Sequence, residues 1–133
     1  MRQEDADEAR RLGAEKTVDT GPDMEAEVRE TWQDGVDACL DTVGLAAGAL
    51  VCVRDGGAFV TTVPWAVPDA ARGIVPGTVQ VQPDAGATAE LAESVAAGVL
   101  TVRIAETLPL ERFRDAYTHL KSGGLRGKVV LTP

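Results

Sequence analysis

Few side chains in this 133-residue sequence are of types that do chemistry, and counting narrows them at once. There are two cysteines, Cys39 and Cys52, and one histidine, His119. A structural zinc site wants four Cys or His ligands at short spacings, and a catalytic one can take three including a carboxylate; Cys39, Cys52 and His119 show no ligand spacing, so no metal centre is expected. Both cysteines lie in apolar runs, ACLDTV and LVCVR, where a free thiol reads as a small buried hydrophobe rather than as a nucleophile. Glu111 and Asp115 are spaced i, i+4, but Arg112 and Arg114 stand between them, which reads as a solvated helix face rather than an acid–base pair. His119 reads as an exposed or capping histidine on the same helix. The stronger candidates are polar and small residues that close apolar runs: Asp41-Thr42-Val43-Gly44 and Thr61-Thr62-Val63-Pro64, the latter followed by Trp65. In a parallel α/β sheet, ligands gather where strands end and turn into helices. The same residues also serve as an N-capping turn and as the end of a β-branched buried strand, with Trp65 as a hydrophobic anchor.

The elements that must carry these residues can be read from periodicity. A helix is predicted over about 4–13 and ends at Gly13; a short extended run follows at 16–19. A second helix runs to about Gln33, with Met24, Val28 and Trp32 on one stripe. VDACLD (36–41) is predicted as a strand, 45–54 as an Ala- and Leu-rich helix stopped by Asp55-Gly56-Gly57, and AFVTTV (58–63) as a strand closed by Pro64. After a Pro-rich loop, TVQVQ, from Thr78 to Gln82, alternates strictly and reads as a strand. Asp84 caps a helix over about 87–97, with Leu91 and Val95 expected inward. A strand at 101–105 precedes a helix at 109–122, with Leu110, Phe113, Ala116, Tyr117 and Leu120 at helical spacing. A last strand covers 128–131. Alternation of helices and strands defines an α/β fold with a mostly parallel sheet and helices on both faces, in one domain spanning 1–133.

Composition excludes several partners. The chain is 44% hydrophobic and 26% charged, ordinary for a folded protein. Its net charge is −8, and residues 1–30 hold ten acids against five bases. Nucleic acid and anionic membranes call for a basic face, so neither is an expected partner. No apolar run reaches the roughly 18 residues of a spanning helix, and the first residues, MRQEDADEARR, lack the apolar core of a signal peptide. With two free cysteines, the expected compartment is a reducing cytoplasm.

Four segments follow one another in a familiar order: ARRLGAEKTVD (9–19), GVDACLDTVG (35–44), VRDGGAFVTTVP (53–64) and ETLPLERFRDAYTHLKSGGLRGKVVL (106–131). Together they resemble the C-terminal part of the Rossmann domain of the medium-chain dehydrogenase/reductase superfamily, in its zinc-free quinone-oxidoreductase-like branch. The resemblance implies a truncated Rossmann-like domain. The catalytic domain, the first two strands and the glycine-rich phosphate loop of the family have no counterpart here, and no G-x-G-x-x-G run follows a strand. It also implies that Asp41, Thr42, Val43 and Gly44, together with Thr62, Val63 and Trp65, lie near a nicotinamide. Lys128, beside Arg126, is of the type that meets cofactor phosphates near this motif, or else is a solvated charge.

In the Rossmann order 3-2-1-4-5-6, loss of strands 1 and 2 leaves strand 36–41 with an open edge. Run 16–19 could fill it, or the C-terminal strand, or another chain. The expected activity is that of a cofactor-domain remnant of an NAD(P)H-dependent quinone-type oxidoreductase, one that binds no cofactor alone and takes NADPH only with a complementing chain. The family also pairs its TVQVQ-like strand across a two-fold axis, which implies a homodimer through Thr78 to Gln82. The alternative is a dimeric protein that binds a small ligand or another protein, without redox chemistry or with cyclase- or isomerase-like chemistry.

Overall fold

The computed structural model describes residues 3–133, with side chains from Asp5 onward. The chain forms two compact units, one ending at Val81 and one running from Gln82 to Pro133. Every strand pair in both is parallel, so the architecture is α/β, with its strands in two small sheets.

The first unit opens with α1 (Gln3–Arg11) and α2 (Met24–Thr31). The predicted stripe on α2 holds in part: Val28 is buried and Met24 packs against the core, but Trp32, at the helix end, is exposed. A turn at Asp34-Gly35 leads into β1 (Val36–Asp41). Gly35 sits at φ +97°, and a Cβ there would fall 2.6 Å from the Cys52 carbonyl oxygen, so the turn admits no side chain. β1 pairs with β2 (Val53–Thr61), and β2 pairs with β3 (Gly77–Thr78). α3 (Ala47–Leu50) crosses between β1 and β2. Ala49, Leu50, Val53, Phe59 and Ile74 form the core, with Met24, Val36 and Cys39 against it.

Two arginines close this unit from outside. The Arg72 guanidinium donates to the carbonyls of Leu50 and Val53, both at 2.8 Å, and to Asp55 at 3.0 Å. Arg29 donates to the Val51 carbonyl at 2.9 Å. The carbonyls orphaned at the end of a one-turn helix are thereby satisfied.

Several sequence expectations are corrected here. The helix expected over 45–54 is reduced to α3, because the turn after β1 takes up 42–46 and the chain must already be extended at Val53 to lie opposite Val36. Burying Val53 completely outweighs the helix propensity of an Ala–Leu run too short to be stable alone. Asp55-Gly56-Gly57 is not a helix stop but part of an irregularity within β2, where the register jumps from Val36↔Val53 to Ala38↔Ala58. Only Gly77 and Thr78 of the TVQVQ region join the sheet, and Val81 is exposed. The Val79 amide still reaches the Thr61 carbonyl at 3.0 Å, but β2 ends there: the Val63 amide turns back to the Thr61 hydroxyl and Pro64 has no N–H to offer. Residues 16–19 form no strand; they are held by side chains, Lys16 to Thr31, Thr17 to Arg10 and the Asp19 amide to Glu27. The open edge of β1 is therefore filled neither by 16–19 nor by the C-terminal strand, which pairs elsewhere. Among the described residues β1 has no neighbour but β2.

The second unit holds α4 (Ala85–Ala96), β4 (Ile104–Pro109), α5 (Phe113–Ser122) and β5 (Lys128–Thr132). Asp84 caps α4 as expected, its Oδ1 accepting the Ala87 N–H at 2.9 Å. The strand expected at 101–105 lies later, because the β4–β5 ladder runs from Ile104↔Lys128 to Pro109↔Thr132. The expected inward stripes are corrected too. On α5 only Ala116 is buried, and Leu91 and Val95 on α4 are exposed. A two-stranded sheet whose one buried side chain is Leu108 has too little surface to cover two helices. No described helix is long and apolar enough to cross a membrane.

Candidate ligand-binding site

The C-terminal ends of β1 and β2 lie side by side, with Asp41 the register partner of Thr61. These two are the buried polar residues of the described chain, 3% and 0% exposed, and both are fully used. The Asp41 carboxylate accepts the N–H groups of Val43 (3.1 Å) and Gly44 (2.8 Å) on Oδ1 and that of Ala46 (2.9 Å) on Oδ2. Burial pushes its pKa up, but the amides of Ala46, Val43, Leu45 and Gly44 outweigh that and hold it below the usual carboxylate value. The Asp41 carbonyl accepts the Thr62 N–H at 2.9 Å and the Thr61 hydroxyl at 3.1 Å. The Thr61 hydroxyl oxygen in turn accepts the Val63 N–H at 3.0 Å. Gly44 sits at φ +85°, and a Cβ there would lie 3.3 Å from the Ala66 side chain and 3.5 Å from that of Val63. One hydrogen-bonded network thus sets both loops, 42–46 and 62–66, against each other.

The sequence-predicted residues separate accordingly. Asp41 is internal: its carboxylate holds the turn over 43–46 rather than capping α3, whose N-cap is Ala46 with no side-chain cap bond. Thr42, Val43, Thr62 and Trp65 stand outward, with Val43 72% and Trp65 88% exposed. Gly44 and Val63 join the two loops. Lys128 lies in the second unit as the first residue of β5, exposed, so the cluster draws on the first unit alone. Thr61, one of the sequence candidates that close the second strand, is buried and links the two loops instead of facing outward.

Beside the strand ends, a groove of about 330 Å³ follows the open edge of β1, lined mainly by Met24, Val28, Cys39, Leu40, Val43 and Cys52. Leu40 and Cys39 belong to opposite faces of the strand and both reach it, so the groove wraps the edge itself. Burial first, then Asp41 and Cys52, raise the Cys39 pKa. Burial first, then Glu25, raise that of Cys52 against the opposing effect of Arg29. Both thiols stay protonated, which suits a lining and not a nucleophile. Among the described residues no group of three His, Cys, Asp or Glu side chains could hold a metal ion. The residues also do not fit a pyrophosphate at the turn after β1. The amides of Val43, Gly44 and Ala46, which a phosphate would need, are occupied by Asp41, and the helix behind them has a single turn.

Parallel strands, crossover helices and polar strand ends define a nucleotide-domain type of α/β protein. The chain belongs to the zinc-binding dehydrogenase family, whose model matches residues 12–131. Solved structures of similar fold include an NAD-dependent alcohol dehydrogenase, 24% identical at a TM-score of 0.72 over 99% of this chain and 42% of its own. A quinone oxidoreductase from Pseudomonas syringae pv. tomato is 22% identical, with a TM-score of 0.69 over 99% and 47%. A mycobacterial protein solved in complex with NADPH is 21% identical, with a TM-score of 0.71 over 100% and 47%. The chain thus spans less than half the length of these structures. No curated protein matches it.

Proposed function

We propose that this chain is the nicotinamide-side part of the cofactor domain of an NAD(P)H-dependent oxidoreductase of the quinone-reductase type. It binds the dinucleotide once polypeptide outside these 133 residues supplies strands along the open edge of β1 and a phosphate loop. The observation that carries this reading is the unpaired edge of β1 with its apolar groove, beside a turn whose amides are already consumed. An unpaired edge is a template for another strand. The cofactor, when bound, supplies a hydride. The chain's part is to hold Thr42, Val43, Thr62 and Trp65 as a wall at the strand ends, and to keep Asp41 ionised behind it. The reading includes a homodimer formed through Thr78 to Gln82, where β3 stops short and Val79 and Val81 stay exposed; it also includes a cytoplasmic location.

Completion tests it. The part of the Pseudomonas syringae quinone oxidoreductase that precedes the matched region is joined to this chain. NADPH fluorescence should then report binding at micromolar concentration, with slowed amide exchange along β1. Binding without any change at β1 would contradict the edge. The apolar groove favours one other reading, a small apolar ligand bound without a cofactor; displacement of a fluorescent apolar dye by neutral aromatic compounds, with NADPH inert in both the isolated and the completed chain, would select it.

A further inference from the structure

We infer that Thr61 and Asp41 act together as positioning residues that make loops 42–46 and 62–66 one rigid wall, so that a ligand meeting either loop is held by both. The inference rests on the cofactor reading for the identity of that ligand, but its geometry stands by itself.

The described chain holds two buried polar residues, and they are register partners at the end of two parallel strands. It is the loops that call for these side chains, since without Asp41 the amides of Val43, Gly44 and Ala46 lose their acceptor. Buried polar groups that are fully satisfied fix one arrangement, and leaving one unsatisfied is costly. Here the bonds run in sequence. The Asp41 carboxylate gathers the amides of Val43, Gly44 and Ala46. Its carbonyl takes the Thr61 hydroxyl and the Thr62 amide, and the Thr61 oxygen takes the Val63 amide. Thr61 has one hydroxyl proton and uses it toward β1, while its lone pair serves the next loop. Gly44 then rests on Val63 and Ala66 with no room for a larger side chain to pass freely. The outward groups, Thr42, Val43, Thr62 and Trp65, therefore keep a fixed relation although each is exposed. Sites hold ligands best when supporting bonds set their geometry in advance.

The test separates the hydroxyl from the shape of the side chain. Thr61→Val keeps the volume and removes the hydroxyl; Thr61→Ser keeps the hydroxyl and removes a methyl group. Amide exchange, read residue by residue, should rise at least tenfold in Thr61→Val at Val43, Gly44 and Ala46 as well as at Val63 and Ala66. In Thr61→Ser it should stay near wild type in both loops even if Tm falls. The ligand arm uses reduced nicotinamide mononucleotide, titrated by NMR into the chain completed as described under Proposed function. Amides of both loops should shift with one apparent Kd, weakened about tenfold in Thr61→Val and kept in Thr61→Ser. Loosening confined to 62–66, or binding that follows Tm rather than the hydroxyl, would overturn the proposal. If the completed wild-type protein shows no shift at either loop, the cofactor reading is what fails, and the exchange result still decides the coupling.

Discussion

The two compact units differ in what their helices are given to cover. In the first, three strands and α3 enclose Phe59, Val53 and Ile74, and a loop arginine, Arg72, plugs the carbonyls left at the end of α3. In the second, α5 carries Leu110, Phe113, Tyr117 and Leu120 at helical spacing just before and along it, yet all four are exposed, Tyr117 at 66%. Leu108 and Ala116 are the buried apolar residues of this unit. The polar contacts that hold α5 are local or single: Arg112 to Asp115 at 2.7 Å, and His119 Nδ1 to Glu106 at 2.7 Å on β4. The difference teaches that secondary structure and burial are set separately. Both units have amphipathic helices and parallel strands, but only the first has enough sheet to bury what its helices offer, and the candidate site lies there.

Core truncation should show the contrast most strongly. Phe59→Ala is expected to cost about 3–5 kcal/mol and to release amide protection throughout the first unit. Tyr117→Ala, exposed, should change stability by about 0.5 kcal/mol or less. Equal effects in denaturant melts would erase the distinction between the units. Next in size is Arg72→Ala. It leaves the carbonyls of Leu50 and Val53 without their donor, at about 1–3 kcal/mol, with exchange rising at Cys52 and Val53 before the strand ends are affected.

Acid should distinguish the units more gently. Asp41 has a folded pKa below its unfolded value, so its contribution to stability is fully present above about pH 4 and is lost as pH falls through the folded pKa. Unfolding followed from pH 6 to pH 2 should show a loss in the first unit that Asp41→Asn removes; the same slope in the variant would place the effect elsewhere. Smallest of all, Arg112→Ala deletes a surface ion pair whose partners are about half exposed. It should shift stability by under about 0.5 kcal/mol, and less still in high salt.

How much of this was legible in the sequence follows from the range of each interaction. β1 was read with its bounds because VDACLD is β-favouring and ends in a polar turn. The Asp84 cap was readable because capping is local, and the polar turn at Asp41 because its carboxylate bonds amides within five residues. The run 45–54 misled because its Ala and Leu content is helical, whereas the pairing of Val36 with Val53 is decided across the sheet. The alternation of TVQVQ is real, but a strand also needs a ladder partner, which no pattern within it supplies. Apolar stripes on α4 and α5 were visible as spacing; whether anything covers them depends on surface elsewhere. Thr61 was named among the residues that close its strand, but its role as a link between the loops was not legible, since it needs the carbonyl of Asp41, twenty residues away.

The central claim is that the strand ends of this chain form one wall of a dinucleotide site and not a complete one. Calorimetric titration of NADPH into the purified 133-residue chain tests it most directly. The expected result is no binding heat at micromolar cofactor. Saturable binding with a micromolar Kd by the chain alone would contradict the account, because it would require a phosphate cradle that the occupied amides of Val43, Gly44 and Ala46 do not provide.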